Sequence, residues 1–196
     1  MFITRISIHC LFLLLSVFYT SSSFASDLTI KALMQTLAAA KPSHATFKEN
    51  KYIALLDEPV ESTGELFFTA PSHLEKRTLT PKKESLIVDG NKILIERGSK
   101  TYYFTMQNLP ELGVFINSIR GTLAGDLNAL QRHFELSLTG TVKQWQLTLI
   151  PTDKKMQALL QHIQIAGLNH QIKTIEITQT DGDHSTMAIT PVDQPK

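Results

Sequence analysis

The sequence predicts an α+β fold: one curved antiparallel sheet of nine to eleven strands, accompanied by three helical pieces. Three observations predict it. From Gly64 to Gly90 the runs GELFFTAP and LIVDG are each too short for a helix and are bounded by Gly, Pro or an Asp-Gly pair, so they read as strand, turn, strand. From Gln144 to Leu149, the apolar residues Trp145, Leu147 and Leu149 alternate with polar ones, the period of a strand with one buried face. Between these segments, from 107 to 134, the apolar spacing lengthens to that of a helix. A sheet of so many strands must curve and partly close to bury one face.

The N-terminus reads as a secretory signal. Arg5 precedes an apolar stretch from Ile6 to Phe18, and Ser23-Phe24-Ala25 puts small residues at the two positions a signal peptidase reads. The stretch ends in Thr20 to Ser23, short of the roughly 18–20 apolar residues of a membrane span. Cleavage after Ala25 is expected, leaving 26–196 as one domain with a full core. Ser26 follows the cut where a bacterial lipoprotein has Cys, so no lipid anchor is expected. Cys10, the only cysteine, lies in the leader. The mature chain therefore has no thiol for a disulfide, a metal site or a nucleophile.

Nineteen Lys and Arg stand against 18 Asp and Glu, and Arg5 leaves with the leader. A balanced charge argues against nucleic acid, whose phosphates bind a basic surplus.

The elements follow in order. Asp27 can cap a helix running to about Ala40, with Leu28, Leu33, Met34 and Leu37 near one face, and Lys41-Pro42 ends it. Ala45 to Leu56 is extended, Asp57-Glu-Pro59 turns, and Gly64 to Ala70 is a strand. Leu74 to Leu79, Glu84 to Val88, Lys92 to Arg97 and Tyr102 to Met106 continue the meander through turns at Thr80-Pro81, Asp89-Gly90 and Gly98-Ser99. Leu112, Phe115, Ile116 and Ile119 then fall at helical spacing. A second helix starts at Asp126, with Leu127, Leu130 and Phe134 at i, i+3 and i+7. Strands resume at Phe134 to Thr139, Gln144 to Ile150, Leu159 to Ala166, Ile172 to Thr180 and Ser185 to Thr190, with a short turn or helix at Lys154 to Gln157. Asp181-Gly-Asp183 is a hairpin signal.

Catalytic motifs are missing: the sequence has no GxSxG elbow, HExxH helix, P-loop or GxGxxG. No two histidines stand at metal-ligand spacing, and Asp181, Asp183 and His184 read as a polar turn, since a calcium loop needs more oxygens at fixed positions. No metal and no cofactor are expected. Glu49 shares a strand face with Phe47, so it is a buried carboxylate if that face is interior. It reads as a cavity-rim or Lys-paired group more readily than as an acid or base. More telling is the amount of apolar surface on two elements that should meet. Leu66, Phe68, Val88, Trp145, Leu147 and Leu149 populate inward sheet positions, and Phe115, Ile116 and Ile119 line a helix.

The N-terminal helix, ATFKE at 45–49, GELFFTAP at 64–71 continuing to Asp89-Gly90, WQLTLIP at 145–151 and EITQTDGDHS at 176–185 together resemble the LolA family of periplasmic lipoprotein carriers and its LolA-like relatives. The resemblance implies an incomplete antiparallel β-barrel with a helical lid, the helices at 27–40 and 112–134 forming the lid. It implies an apolar cavity for acyl chains, lined by Phe47, Leu66, Phe68, Val88, Phe104, Phe115, Ile116, Ile119, Trp145, Leu147 and Leu149. It also implies a monomeric, non-enzymatic carrier in the periplasm. Such a carrier takes a lipid or lipoprotein from an inner-membrane exporter to an outer-membrane acceptor. One departure stands out. The well-studied carriers have an arginine immediately before the proline of GELFFTAP, tied to lid closure and ligand release, and here that residue is Ala70. The chain therefore resembles the LolA-related branch more than the housekeeping lipoprotein carrier. Two other readings stay open: a periplasmic binding or sensor module without transport, and an enzyme built around Glu49.

Overall fold

The structure, a computed structural model, describes residues 28–39 and 43–192; the expected signal segment lies outside them. Its centre is a single sheet of eleven antiparallel strands. These are β1 (Ser43–Tyr52), β2 (Val60–Thr69), β3 (His73–Thr80), β4 (Glu84–Asp89), β5 (Lys92–Arg97), β6 (Lys100–Thr105), β7 (Phe134–Thr141), β8 (Gln144–Pro151), β9 (Leu160–Leu168), β10 (Gln171–Gln179) and β11 (His184–Pro191). The spatial order is β6-β5-β4-β3-β2-β1-β11-β10-β9-β8-β7. Two meanders are thus joined by the pairing of β1 with β11, where Phe47 lies opposite Ile189 and Glu49 opposite Met187. The two end strands β6 and β7 do not pair, so the sheet is an open half-barrel and not a closed one.

Among the described residues four helices accompany it: α1 (Ile30–Ala38), α2 (Pro110–Leu123), α3 (Leu127–Gln131) and α4 (Lys154–Gln157). The first begins later than the expected Asp27, which lies outside the described residues. Thr29 caps it, its hydroxyl accepting from the Ala32 amide at 3.1 Å. Pro110 opens α2 at a position where its missing N–H leaves nothing unpaired. Asp126 caps α3 as expected. Phe134 does not extend that helix: α3 stops at Gln131, and Phe134 is the buried first residue of β7, opposite Pro151.

One turn of backbone locks the helices together. Gly125 has φ +64, and a Cβ there would lie 2.1 Å from the Met34 carbonyl oxygen. Glycine is needed both for the left-handed conformation and for the contact of the α2–α3 corner with α1.

The packing divides the sheet unequally. Over β7–β10, Leu33, Met34 and Leu37 of α1 and Leu130 of α3 close onto Trp145, Leu147, Leu149, Ile163 and Ile165 to form one solid core. Trp145 is buried opposite Gly167, and its indole N–H donates to the Asn169 carbonyl at 2.8 Å. A second, smaller cluster joins Ile116 of α2 to Val88 and Ile93. Between the two, α2 spans the concave face, with Leu37 of α1 beside it.

Candidate functional site

Alternation along the strands builds the wall of the site. On β1, Ala45, Phe47, Glu49 and Lys51 face one way; their partners on β11 are Pro191, Ile189, Met187 and Ser185. Leu66 and Phe68 of β2, Leu74 and Lys76 of β3, and Leu86 of β4 continue the same face through registered pairs. Ile172, Ile175 and Ile177 of β10 extend it on the other side. Leu112, Phe115, Ile116, Ile119 and Leu123, spaced at three and four residues along α2, cover it. Between helix and sheet lies an apolar cavity of about 620 Å³, within the roughly 300–1,000 Å³ of small-ligand sites.

Of the residues singled out in the sequence, Leu66, Phe68, Phe115, Ile116 and Ile119 line this cavity. Trp145, Leu147 and Leu149 lie in the solid core under α1. Val88 and Phe104 belong to the cluster around Ile116. Phe47 is buried on the concave face beneath the Lys76 ammonium, 4.8 Å from its ring centroid, and does not border the cavity. Sequence reasoning missed Leu74, Leu86, Met187, Ile189 and the β10 isoleucines. The signal was there in Ile175-Glu-Ile177 and Met187-Ala-Ile189, strict alternations whose inward face could have been assigned once β1 and β11 were known to pair.

The cavity has one polar end. Lys76 donates to the Glu49 carboxylate at 2.5 Å, and the Ser62 hydroxyl donates to the same oxygen at 3.3 Å. Lys51, Ser185 and Gln179 border the cavity beside this pair. Glu49 is thus engaged by Lys76 and Ser62, and no histidine is among its hydrogen-bond partners. Among the described residues no group of three or more His, Cys, Asp or Glu is placed to hold a metal ion.

Ala70 follows the last residue of β2 and offers no side chain long enough to reach the helix. An arginine comes from the other direction: Arg120 of α2 donates through Nη1 to the Gly90 carbonyl in the β4–β5 turn at 2.5 Å. Burial pulls its guanidinium pKa below the ordinary value, opposed by Asp89. We predict that Arg120→Gln, whose shorter neutral side chain loses the charge-assisted bond, loosens α2 over the sheet. Amide hydrogen exchange across 110–123 should rise several-fold; unchanged exchange would show that the bond does not hold the helix down.

The model for the family described as outer membrane lipoprotein carrier protein LolA-like covers residues 22–191, and the chain belongs to that family. Solved structures are similar at low identity. A LolA superfamily protein of Nitrosomonas europaea is 8% identical, with 86% of this chain and 96% of that one covered and a TM-score of 0.43. The lipoprotein LppX of Mycobacterium tuberculosis is 9% identical over 87% of this chain and 99% of that one, TM-score 0.45. A chain of the MucA/MucB complex of Pseudomonas aeruginosa is 12% identical, covering 85% and 58%, TM-score 0.44. No curated protein matches significantly.

Proposed function

We propose that the mature chain, residues 26–196 after removal of the leader, is a periplasmic carrier. It would hold the acyl part of a lipid or lipoprotein between an inner-membrane exporter and an outer-membrane acceptor, acting as a monomer and without catalysis. The observation that carries this reading is the apolar cavity of about 620 Å³ under α2 in a chain of the LolA-like family. Enclosing each methylene stabilises by about 0.8 kcal/mol, so a chain of about sixteen carbons gains on the order of 10 kcal/mol. A cavity with sheet on one side and helix on the other covers two faces of the chain, where a surface patch would cover only one. The acyl tail lies against Leu66, Phe68, Leu74 and Ile116, and a polar head reaches the Glu49–Lys76 pair and Lys51. The relatives named above bear on this only as family context.

Filling the cavity tests the reading. Leu66→Trp together with Ile175→Trp should lower the affinity for a fluorescent fatty acid about tenfold or more, while circular dichroism stays that of the parent. Native mass spectrometry of protein taken from the periplasm should find a co-purified lipid. Protein that carries no lipid and takes up no fluorescent fatty acid would overturn the proposal.

A further inference from the structure

The half-barrel is filled on one side and hollow on the other. Over β8 and β9, Leu33 and Met34 of α1 and Leu130 of α3 pack onto Leu147, Leu149 and Ile163, with no more than 2% of any of these residues exposed. Leu37 of α1 belongs to that core and also borders the cavity, so α1 marks the limit of the hollow side. The space left is about 620 Å³. A water molecule takes about 30 Å³ in the liquid and a methylene group is of similar size, so the space holds about 20 methylenes. Its length agrees. Lining residues on β10 run from Gln171 to Gln179, which at about 3.3 Å per residue is roughly 26 Å. A zigzag chain of about 20 carbons, built from bonds of about 1.5 Å, is about as long. Volume and length both describe one extended acyl chain.

The helix over this space is anchored on both sides of it. On one side Ile116 is buried with Val88 and Ile93, and the Arg120 guanidinium donates to the Gly90 carbonyl. On the other, Ile119 and Leu123 pack against the solid core, and Gly125 lets the end of α2 approach the Met34 carbonyl of α1. Ser118 and Thr122 have no exposed surface. Their hydroxyls donate to the Phe115 and Ser118 carbonyls at 2.7 and 2.8 Å, so the packed face of α2 carries no unpaired hydroxyl that would favour opening to water. Beneath the cavity, β3, β2, β1, β11 and β10 are successive neighbours in one sheet. A second chain therefore enters only if an anchor of α2 gives way.

We propose that the cavity takes a single-chain lipid, one molecule per protein, with an acyl chain of about 16–20 carbons. The inference rests on the carrier reading and narrows its cargo to the monoacyl class, the chemistry shared by free fatty acids and lysolipids. A diacyl or triacyl lipid would leave its further tails outside the cavity, where every methylene left in water lowers the gain from binding. Trp145, Leu147 and Leu149, had they lined the cavity, would have carried it across the sheet. Their burial under α1 and α3 removes the room for a second chain.

The test incubates the mature chain with vesicles holding equal amounts of phosphatidylglycerol and lysophosphatidylglycerol, both with palmitoyl chains, until the bound amounts stop changing. Native mass spectrometry of the separated protein should then find one lipid per molecule, the monoacyl form in about tenfold excess or more. A series of saturated fatty acids, read by displacement of a fluorescent one, gives the length limit. Affinity should rise about fourfold per methylene from about 12 to about 18 carbons and level off beyond about 20. Diacyl lipid bound as well as the monoacyl form, two lipids per protein, or an affinity still rising well past that length would overturn the one-chain inference and leave the carrier reading standing. Protein that takes up neither lipid and no fatty acid of the series would sink the carrier reading itself.

Discussion

Gly64→Val should destabilise the protein by about 3 kcal/mol or more, the upper range for forcing added atoms into a packed site. On strand propensity alone the change would have the opposite sign. Glycine weakens a strand by roughly 0.5–1 kcal/mol relative to alanine, and valine is among the favoured strand residues. Geometry reverses this. A Cβ at Gly64 would lie 1.9 Å from the Arg77 carbonyl oxygen and 2.8 Å from the edge of the Phe47 ring. The first contact is with backbone, which can yield only if β3 moves away from β2. The register slips between Thr63 and Gly64, and the missing side chain is what lets β3 come close at that irregularity. Phe47 is buried in the same place and carries Lys76 above it, and Lys76 in turn holds Glu49. A displaced β3 therefore disturbs the polar end of the cavity as well as the strand. At roughly 2–4 °C per kcal/mol for a chain of this size, the thermal midpoint should fall by about 6–12 °C. A variant melting at or above the parent would show that the strands absorb the side chain without strain.

Much of the architecture was legible because turns announce themselves locally. Asp89-Gly90, Gly98-Ser99 and Asp181-Gly-Asp183 each fall at a strand end, and Asp126 caps the helix it was expected to cap. These depend on residues a few positions apart. The pairing of β1 with β11 joins residues about 140 apart in the chain, and no local pattern encodes it. Phe134 shows the same limit in miniature. Its spacing from Leu127 and Leu130 suits a helix, but pairing with β8 outweighs the spacing, as tertiary packing commonly overrides local preference. The cap of α1 is a near miss of another kind, since Asp27 and Thr29 both carry an oxygen able to accept from a first-turn amide, and Thr29 does so. Least legible was the cavity. Apolar alternation reads the same whether the facing side chains meet or stop short. The difference lies in which helix covers which strand. Leu33, Met34 and Leu37 of α1 and Leu130 of α3 close onto the β8–β9 surface, whereas Leu66, Ile175 and Met187 line a cavity bordered by five residues of α2 and, from α1, by Leu37.

The same substitution on the two halves of the sheet should separate filled core from hollow. Leu147 has no exposed surface and sits in the solid core. Leu147→Ala should therefore cost about 3–5 kcal/mol, the transfer loss plus the void that close-packed neighbours cannot fill. Leu66 is half-buried and faces the cavity. Its truncation removes contacts on the sheet side only and enlarges a space that already exists, so the expected loss is about 1 kcal/mol, the transfer contribution of a partly covered side chain. Chemical denaturation measures both. The functional readout should run the other way. Leu147→Ala, in molecules that remain folded, leaves the cavity wall unchanged and should bind a fluorescent fatty acid like the parent. Leu66→Ala widens the wall and should shift the preference toward longer or branched acyl chains. Equal stability losses at the two positions would mean that Leu66 packs against the helix in solution and that the space beneath α2 is closed until a ligand opens it.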